Sequence, residues 1–170
     1  MIVLIGPPGA GKTTVGGTLA RRLGWPFVDT DRLVEVASGR AIGDIFVADG
    51  EAAFRELEQA AVAQALEGQA DQVVALGGGA PMLEANQAAL ARHTVVYLEV
   101  SDATAIRRVG LAGGGRPLLA ASPRAAWRAQ MAQRGPVYRR LAQVVVPVDG
   151  LTPPQIAARI EAAVGESPLE

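Results

Sequence analysis

The chain has 170 residues, of which 49% are hydrophobic and 19% charged, a composition typical of a globular domain and not of a disordered segment. Its formal net charge of -1 gives no electrostatic reason to expect nucleic acid or an anionic membrane as a partner. Because there is no cysteine, disulfides, a thiol nucleophile and cysteine-based metal sites are excluded. The apolar run at residues 1–5 stops at Gly6, too early for a signal peptide or a spanning helix, so we expect a cytoplasmic protein.

Five short apolar runs, rich in β-branched residues, predict strands that are buried on both faces. In chain order they cover residues 2–5, 26–28, 73–76, 95–100 and 144–148. Amphipathic segments predict helices at residues 12–23, 31–38, 51–67, 84–91, 102–109, 122–134 and 153–164. This alternation predicts a three-layer α/β/α fold in which helices cover both faces of a five-stranded parallel sheet. We therefore expect a single domain over residues 1–170, with ligands beyond the carboxyl ends of the strands.

The first predicted strand leads into residues 6–13, which read GPPGAGKT and match the phosphate-binding pattern G-x-x-x-x-G-K-[ST] in full. Its glycines let backbone N–H groups converge on phosphate oxygens, and the following helix adds its positive N-terminal end. Lys12 is expected to reach the β- and γ-phosphates of ATP, and the Thr13 hydroxyl to bind Mg²⁺. Nucleotide contacts are predicted for Gly9, Ala10, Gly11, Lys12, Thr13 and Thr14. A GTPase is disfavoured because the only lysine lies in this loop, which leaves none for an N-K-x-D guanine site.

The second predicted strand runs into Asp29, Thr30 and Asp31, where two carboxylates are separated by one residue. In an extended chain both carboxylates point to the same side, here toward the phosphate loop. Asp29 is then expected to hold Mg²⁺ through water, and Asp31 to orient or deprotonate an acceptor hydroxyl. The alternative is that Asp31 only caps the next helix, since Asp is common at helix N-termini.

Residues 110–122 interrupt the alternation of strands and helices. They contain four glycines, a proline and Arg116, a composition that argues against regular structure. The segment is either a plain surface loop or a lid that closes over bound nucleotide, with Arg116 as its working charge. Composition alone does not decide between the two.

Several further segments stand in a specific order along the chain. Residues 38–46 read SGRAIGDIF, residues 50–58 read GEAAFRELE, the third strand ends in a GGG triplet at 77–79, and RPLL at 116–119 and RGPVY at 134–138 follow. With the phosphate loop and the acidic pair, this ordered set resembles the shikimate kinase family over nearly the whole chain. The resemblance implies a monomer that uses ATP and Mg²⁺ to phosphorylate the 3-hydroxyl of shikimate, in the chorismate route to aromatic amino acids.

The resemblance also assigns an acceptor site. It implies that Arg55 and Arg134 hold the shikimate carboxylate, a task that suits the planar guanidinium. It further implies that Asp31 accepts hydrogen bonds from the ring hydroxyls. Close approach of the backbone to the ring is assigned to Gly77, Gly78 and Gly79, with Gly78 as the expected direct contact.

On the nucleotide side, the resemblance implies that Lys12 and Arg116 neutralise charge on the transferring group, so that Lys12, Asp31 and Arg116 form the catalytic set. Relatives carry a basic residue just before the proline of the last loop, whereas residues 151–154 here read LTPP. Pro153 and Arg108 are therefore the expected nucleotide contacts outside the phosphate loop and lid, with Arg107 as an alternative to Arg108.

Each arginine has a second interpretation. Arg55 lies at helical spacing from Glu51 and Glu58 and would then only join a solvated row of ion pairs. Arg134 would share an exposed helix face with the arginines at 124 and 128. Two other functions also remain open at this point. One is another small-molecule kinase, for gluconate or a nucleotide, and the other is an ATP-binding regulatory module without kinase activity.

Overall fold

The computed structural model describes residues 1–111 and 123–165. Almost all of the predicted lid, including Arg116, lies outside the described residues, so the choice between lid and surface loop stays a prediction. The first two residues of that segment, Gly110 and Leu111, are the end of a helix.

The sheet follows directly from the apolar runs. Its strands are β1 (Ile2–Ile5), β2 (Phe27–Asp29), β3 (Val73–Ala75), β4 (Thr94–Glu99) and β5 (Val144–Pro147). They pair in parallel in the order β2-β3-β1-β4-β5. All four residues of the central strand β1 are buried, as expected for a strand covered on both faces. The predicted five-stranded parallel sheet is confirmed.

The helices cover both faces of this sheet. They are α1 (Lys12–Leu23), α2 (Thr30–Ser38), α3 (Ile42–Ala48), α4 (Gly50–Leu66), α5 (Glu84–Leu90), α6 (Asp102–Leu111), α7 (Pro123–Leu141) and α8 (Pro153–Gly165), with a 3₁₀ turn at Ala80–Met82. Helices α1 and α8 pack on one face, where Leu19 and Ile160 lie in the core. Helices α4, α5 and α7 pack on the other, with Val62, Leu90 and Tyr138. Within the described ranges, no helix is long and apolar enough to span a bilayer.

Two helix predictions were wrong. The short helix α3 was not predicted, because its N-cap, Ala41, makes no side-chain capping bond and gives no start signal. Helix α7 was predicted to end at residue 134, but it continues through Pro136 to Leu141. Tyr138 is fully buried in this last part, so tertiary packing outweighs the cost of proline inside a helix.

Candidate active site

The phosphate loop joins β1 to α1 at the centre of the sheet. The Nζ of Lys12 donates hydrogen bonds to the carbonyl oxygens of Gly6 at 2.7 Å and Pro7 at 3.2 Å, so the ammonium lies over its own loop. Gly9 has φ of 84°, and a Cβ at this position would lie 2.6 Å from the carbonyl oxygen of Ala105. Only glycine fits there, because both the backbone angle and the space exclude a side chain.

The phosphate loop borders a cleft of about 660 Å³ beyond the carboxyl ends of the strands. Its lining comprises Pro8, Gly9, Ala10, Gly11, Lys12, Thr13, Thr14, Val15, Asp29, Asp31, Leu76, Gly78, Arg108, Val109, Leu151, Pro153 and Ile156. All of the residues predicted to contact nucleotide therefore lie together, except Arg116, which falls outside the described residues. The lining also includes Asp31 and Gly78, which connect this cleft to the predicted acceptor site.

Of the two candidate arginines on α6, Arg108 is the one that reaches the cleft. Its Nη1 donates to the carbonyl oxygen of Gly9 at 3.1 Å, whereas Arg107 is exposed and does not line the cleft. Pro153, another lining residue of the cleft, begins α8. The Gln155 side chain accepts from the Thr152 N–H at 2.9 Å, an interaction that caps the helix.

The candidate metal site lies where α1 meets β2. The Thr13 hydroxyl donates a hydrogen bond to Asp29 Oδ2 at 2.6 Å, so two oxygen ligands of the kind that Mg²⁺ prefers adjoin each other in the cleft. The other oxygen of this carboxylate, Oδ1, accepts from the Asp31 N–H at 3.0 Å. One side chain therefore links the phosphate loop to the start of α2.

The predicted geometry of the acidic pair was wrong in its detail. Asp29 ends β2 and is itself the N-cap of α2, and Asp31 lies in the first turn of that helix, not on an extended chain. The alternative that Asp31 is the cap is also wrong. Both carboxylates still line the cleft. The turn from β2 into α2 occurs at the carboxyl end of the strand, and the phosphate loop follows the carboxyl end of β1.

The acceptor side is built around a buried glutamate. Glu58 on α4 is 1% exposed, and its Oε2 accepts from Arg55 Nη1 at 2.6 Å. The second Nη of Arg55 bonds the exposed Glu51 at 3.0 Å. Burial raises the pKa of Glu58, Arg55 opposes the rise, and Asp31 reinforces it. The second interpretation of Arg55, as a member of a row of ion pairs, is therefore correct for its partners Glu51 and Glu58. The row is not fully solvated, however, because Glu58 is buried.

The glycine triplet after β3 lies against these charged groups. A Cβ on Gly77 would lie 2.6 Å from Asp31 Oδ1 and 2.7 Å from Glu58 Oε1. A Cβ on Gly79 would lie 2.8 Å from both Arg55 Cζ and Nη2, and closer still to Nη1. A side chain at either glycine would displace the ends of these charged side chains, and the close approaches show that Asp31, Arg55 and the triplet meet at one place.

Arg134 joins this group from α7. Its charge opposes the rise in the pKa of both Glu58 and Tyr138, so its guanidinium lies near both side chains. Arg124 and Arg128 instead pair with Asp102 on α6, so the exposed face that they form is not where Arg134 is engaged. The structure thus brings Asp31, Arg55, the glycine triplet and Arg134 together beside the nucleotide cleft.

Sequence analysis did not assign roles to three residues here. Glu58 was considered only as an ion-pair partner of Arg55, although its position three residues after Arg55 indicated that the two side chains share a helix face. Thr30, 0% exposed, accepts from the Gly77 N–H through its hydroxyl at 3.0 Å. Tyr138 donates from its hydroxyl to the Gly78 carbonyl at 2.5 Å. The last two link segments far apart in sequence, so no local pattern indicates them.

This arrangement has the parts that phosphoryl transfer requires. One side offers backbone donors, Lys12 and a pair of oxygen ligands for a nucleotide with its cation. The other offers a carboxylate, Asp31, with two arginines that suit a small acceptor carrying hydroxyls and a negative charge.

Comparison with known proteins identifies relatives of the same build. The shikimate kinase family model matches residues 8–164. A shikimate kinase from Salinispora arenicola is 53% identical over 160 residues, which cover 94% of this chain and 95% of that relative. A solved shikimate kinase from Acinetobacter baumannii, in complex with shikimate, is 32% identical with a TM-score of 0.94. That alignment covers 99% of this chain and 94% of the solved one.

A kinase from the alternative class is similar only in fold. A gluconokinase from Sinorhizobium meliloti aligns with a TM-score of 0.56 at 17% identity, over 96% of this chain and 90% of that chain. This similarity supports the P-loop kinase fold and carries no argument for gluconate as the acceptor.

Proposed function

The chain belongs to the shikimate kinase family, and from that premise we propose how its own residues carry out the reaction. The activity is the ATP-dependent phosphorylation of shikimate. The observation that carries the proposal is the meeting of Asp31, Arg55 and Gly79 beside a cleft lined by the phosphate loop. The 3-hydroxyl is the proposed acceptor atom.

The phosphate loop binds and orients ATP. Its backbone N–H groups and the N-terminus of α1 contact the phosphates, while Arg108 and Pro153 border the rest of the nucleotide. Lys12 moves from its carbonyl partners to the β- and γ-phosphate oxygens and stabilises charge there. Arg116 is proposed to act beside it from the 110–122 segment, which closes over the site and excludes water.

The oxygen pair of Thr13 and Asp29 fits a magnesium ion, since both groups are hard oxygen ligands that adjoin in the cleft. Thr13 would bind the cation directly and Asp29 through water. When bound, Mg²⁺ neutralises charge on the β- and γ-phosphates.

On the acceptor side, Arg55 and Arg134 bind the carboxylate, and Gly78 contacts the ring through its backbone. Asp31 accepts a hydrogen bond from the 3-hydroxyl and orients its oxygen toward the γ-phosphorus. The oxygen–phosphorus bond forms as the bond to the β,γ-bridging oxygen breaks, giving shikimate 3-phosphate and ADP. The hydroxyl proton passes to Asp31 or to water.

We further propose that the chain acts as a cytoplasmic monomer on small molecules alone, with neither nucleic acid nor membrane as a partner. The near-zero net charge supports only the absence of nucleic acid and anionic membranes as partners, because it supplies no field that would attract a polyanion. A sedimentation measurement at micromolar concentration tests the oligomeric state.

The test of function is ADP release from purified protein with ATP and Mg²⁺, in the presence of shikimate, gluconate, nucleoside monophosphates or no acceptor. We expect release only with shikimate, lost in Arg55→Ala and Arg134→Ala. Arg32→Ala, which removes an exposed ion pair with Glu35, and Arg128→Ala on the same helix as Arg134 are matched controls and should retain activity. Stimulation by another acceptor would overturn the acceptor site, and ATP binding without stimulated release would favour a regulatory module.

A further inference from the structure

Tyr138 is a fully buried residue of α7 whose hydroxyl contacts the glycine triplet that follows β3. The hydroxyl donates to the Gly78 carbonyl at 2.5 Å, and the ring packs on Tyr97 with centroids 5.3 Å apart. Burial raises the pKa of Tyr138 to about 12, and the nearby guanidinium of Arg134 opposes this rise. The hydroxyl therefore stays protonated across the physiological range and keeps its ability to donate.

The hydrogen bonds of the triplet can be accounted for group by group. Thr30 accepts from the Gly77 N–H, while the Gly77 and Gly79 carbonyls accept from residues of the following 3₁₀ turn and its end, at 3.1 and 3.0 Å. Tyr138 binds the remaining carbonyl, that of Gly78. Among the described residues, the N–H groups of Gly78 and Gly79 are left without a hydrogen-bond acceptor. These two donors are the ones available to a ligand.

Because the peptide between Gly78 and Gly79 is planar, the hydrogen bond from Tyr138 to the Gly78 carbonyl also fixes the direction of the Gly79 N–H. In a trans peptide, the carbonyl of one residue and the N–H of the next point in opposite directions across the plane. By holding the Gly78 carbonyl toward the core, Tyr138 fixes the Gly79 N–H to point away from the core. Arg55 packs against Gly79.

We propose that Tyr138 is a positioning residue for shikimate, a role that rests on the proposed function. Its single hydroxyl donates to the Gly78 carbonyl and contacts Arg134, so it aligns a backbone donor and a cation of the acceptor site together. Within the described residues, its hydroxyl donates to the glycine triplet and not to the phosphate loop. Its removal should therefore weaken the acceptor and leave the nucleotide unaffected.

The first experiment compares Tyr138→Phe with Tyr97→Phe, which removes a hydroxyl from the adjacent buried ring. For Tyr138→Phe we expect the KM for shikimate to rise about fivefold or more, with the KM for ATP unchanged, since one buried hydrogen bond is lost. Tyr97→Phe should leave both constants unchanged. Equal shikimate KM values in the two variants, or equal rises of both KM values in Tyr138→Phe, would overturn the proposal. If the wild type itself showed no shikimate-dependent ADP release, the proposed function would fail first.

A second measurement keeps the hydroxyl in place and so does not depend on the folding of Tyr138→Phe. The chain has two tyrosines, so 3-fluorotyrosine incorporated into Tyr97→Phe labels Tyr138 alone. We expect shikimate to shift the single ¹⁹F resonance and gluconate to leave it in place. An unshifted resonance at saturating shikimate, in protein with wild-type turnover, would contradict the proposed role.

Discussion

The Thr13 hydroxyl and the Asp29 carboxylate lie 2.6 Å apart, although sixteen positions separate them in the chain. This contact joins the first turn of α1 to the end of β2 and is the point where the nucleotide half of the site meets the acceptor half. Because Asp29 also caps α2 through its other oxygen, the position of Asp31 depends on the same side chain. If Asp29 holds the cation and Asp31 the acceptor as we propose, both functions depend on the placement of the Asp29 carboxylate.

Asp29→Asn separates the charge of this residue from its capping role. Asparagine caps helices about as well as aspartate, so we expect unchanged stability. The loss of charge should raise the Mg²⁺ concentration for half-maximal activity by about tenfold or more. Titration of Mg²⁺ at fixed ATP and shikimate measures this. Asp44→Asn, an exposed aspartate in the first turn of α3, is the matched control and should titrate like the wild type.

Arg55→Lys tests whether a point charge can replace the guanidinium fork. Arg55 bonds Glu58 and Glu51 through different nitrogens, and a single ammonium cannot hold both of them and a substrate carboxylate in the same geometry. We expect the KM for shikimate to rise about tenfold or more while the KM for ATP stays constant. Arg32→Lys on the surface should change neither. A uniform loss of kcat with unchanged KM values would argue that Arg55 does not bind the acceptor.

Glu58→Gln should change how stability depends on pH. Since burial raises the folded-state pKa of Glu58 above its unfolded value, this residue favours folding most below about pH 4. That contribution is lost as the pH rises through the raised pKa. The variant lacks this titration, so the wild type should lose stability relative to Glu58→Gln as the pH rises above about 4.

Denaturant unfolding at a series of pH values measures the difference. Glu56→Gln, an exposed glutamate on the same helix, should follow the pH profile of the wild type. The 1% exposure of Glu58 indicates that its carboxylate is desolvated. Parallel profiles for the wild type and Glu58→Gln would contradict that desolvation.

The sheet and the glycine-rich loop at residues 6–13 could be predicted from sequence because their signals are local. Buried strands read as short apolar runs, and the loop residues are consecutive. Helix α3 and the end of α7 were missed because the first lacks a capping side chain and the second is stabilised by the burial of Tyr138. Long-range contacts such as that of Thr30 with the Gly77 N–H exist only in the folded chain.

Two adjacent glycines in α1 suggest a final comparison. A Cβ on Gly16 would lie 3.2 Å from Leu4 Cδ1 and 3.1 Å from Phe27 Cζ, with another ring carbon closer still. A Cβ on Gly17 would make only an ordinary contact, at 3.9 Å from the same ring. Alanine at either position should gain about 1 kcal/mol of helix propensity. At position 16, overpacking should outweigh this gain by roughly 1–2 kcal/mol, because a ring and a buried leucine must both move.

We therefore expect Gly17→Ala to raise the melting temperature and Gly16→Ala to lower it, as measured by thermal unfolding monitored by circular dichroism. Each variant is the control for the other, since the chemical change and the helix are the same. A higher melting temperature for Gly16→Ala than for Gly17→Ala would mean that α1 does not pack on β1 and β2 as closely as the structure places it.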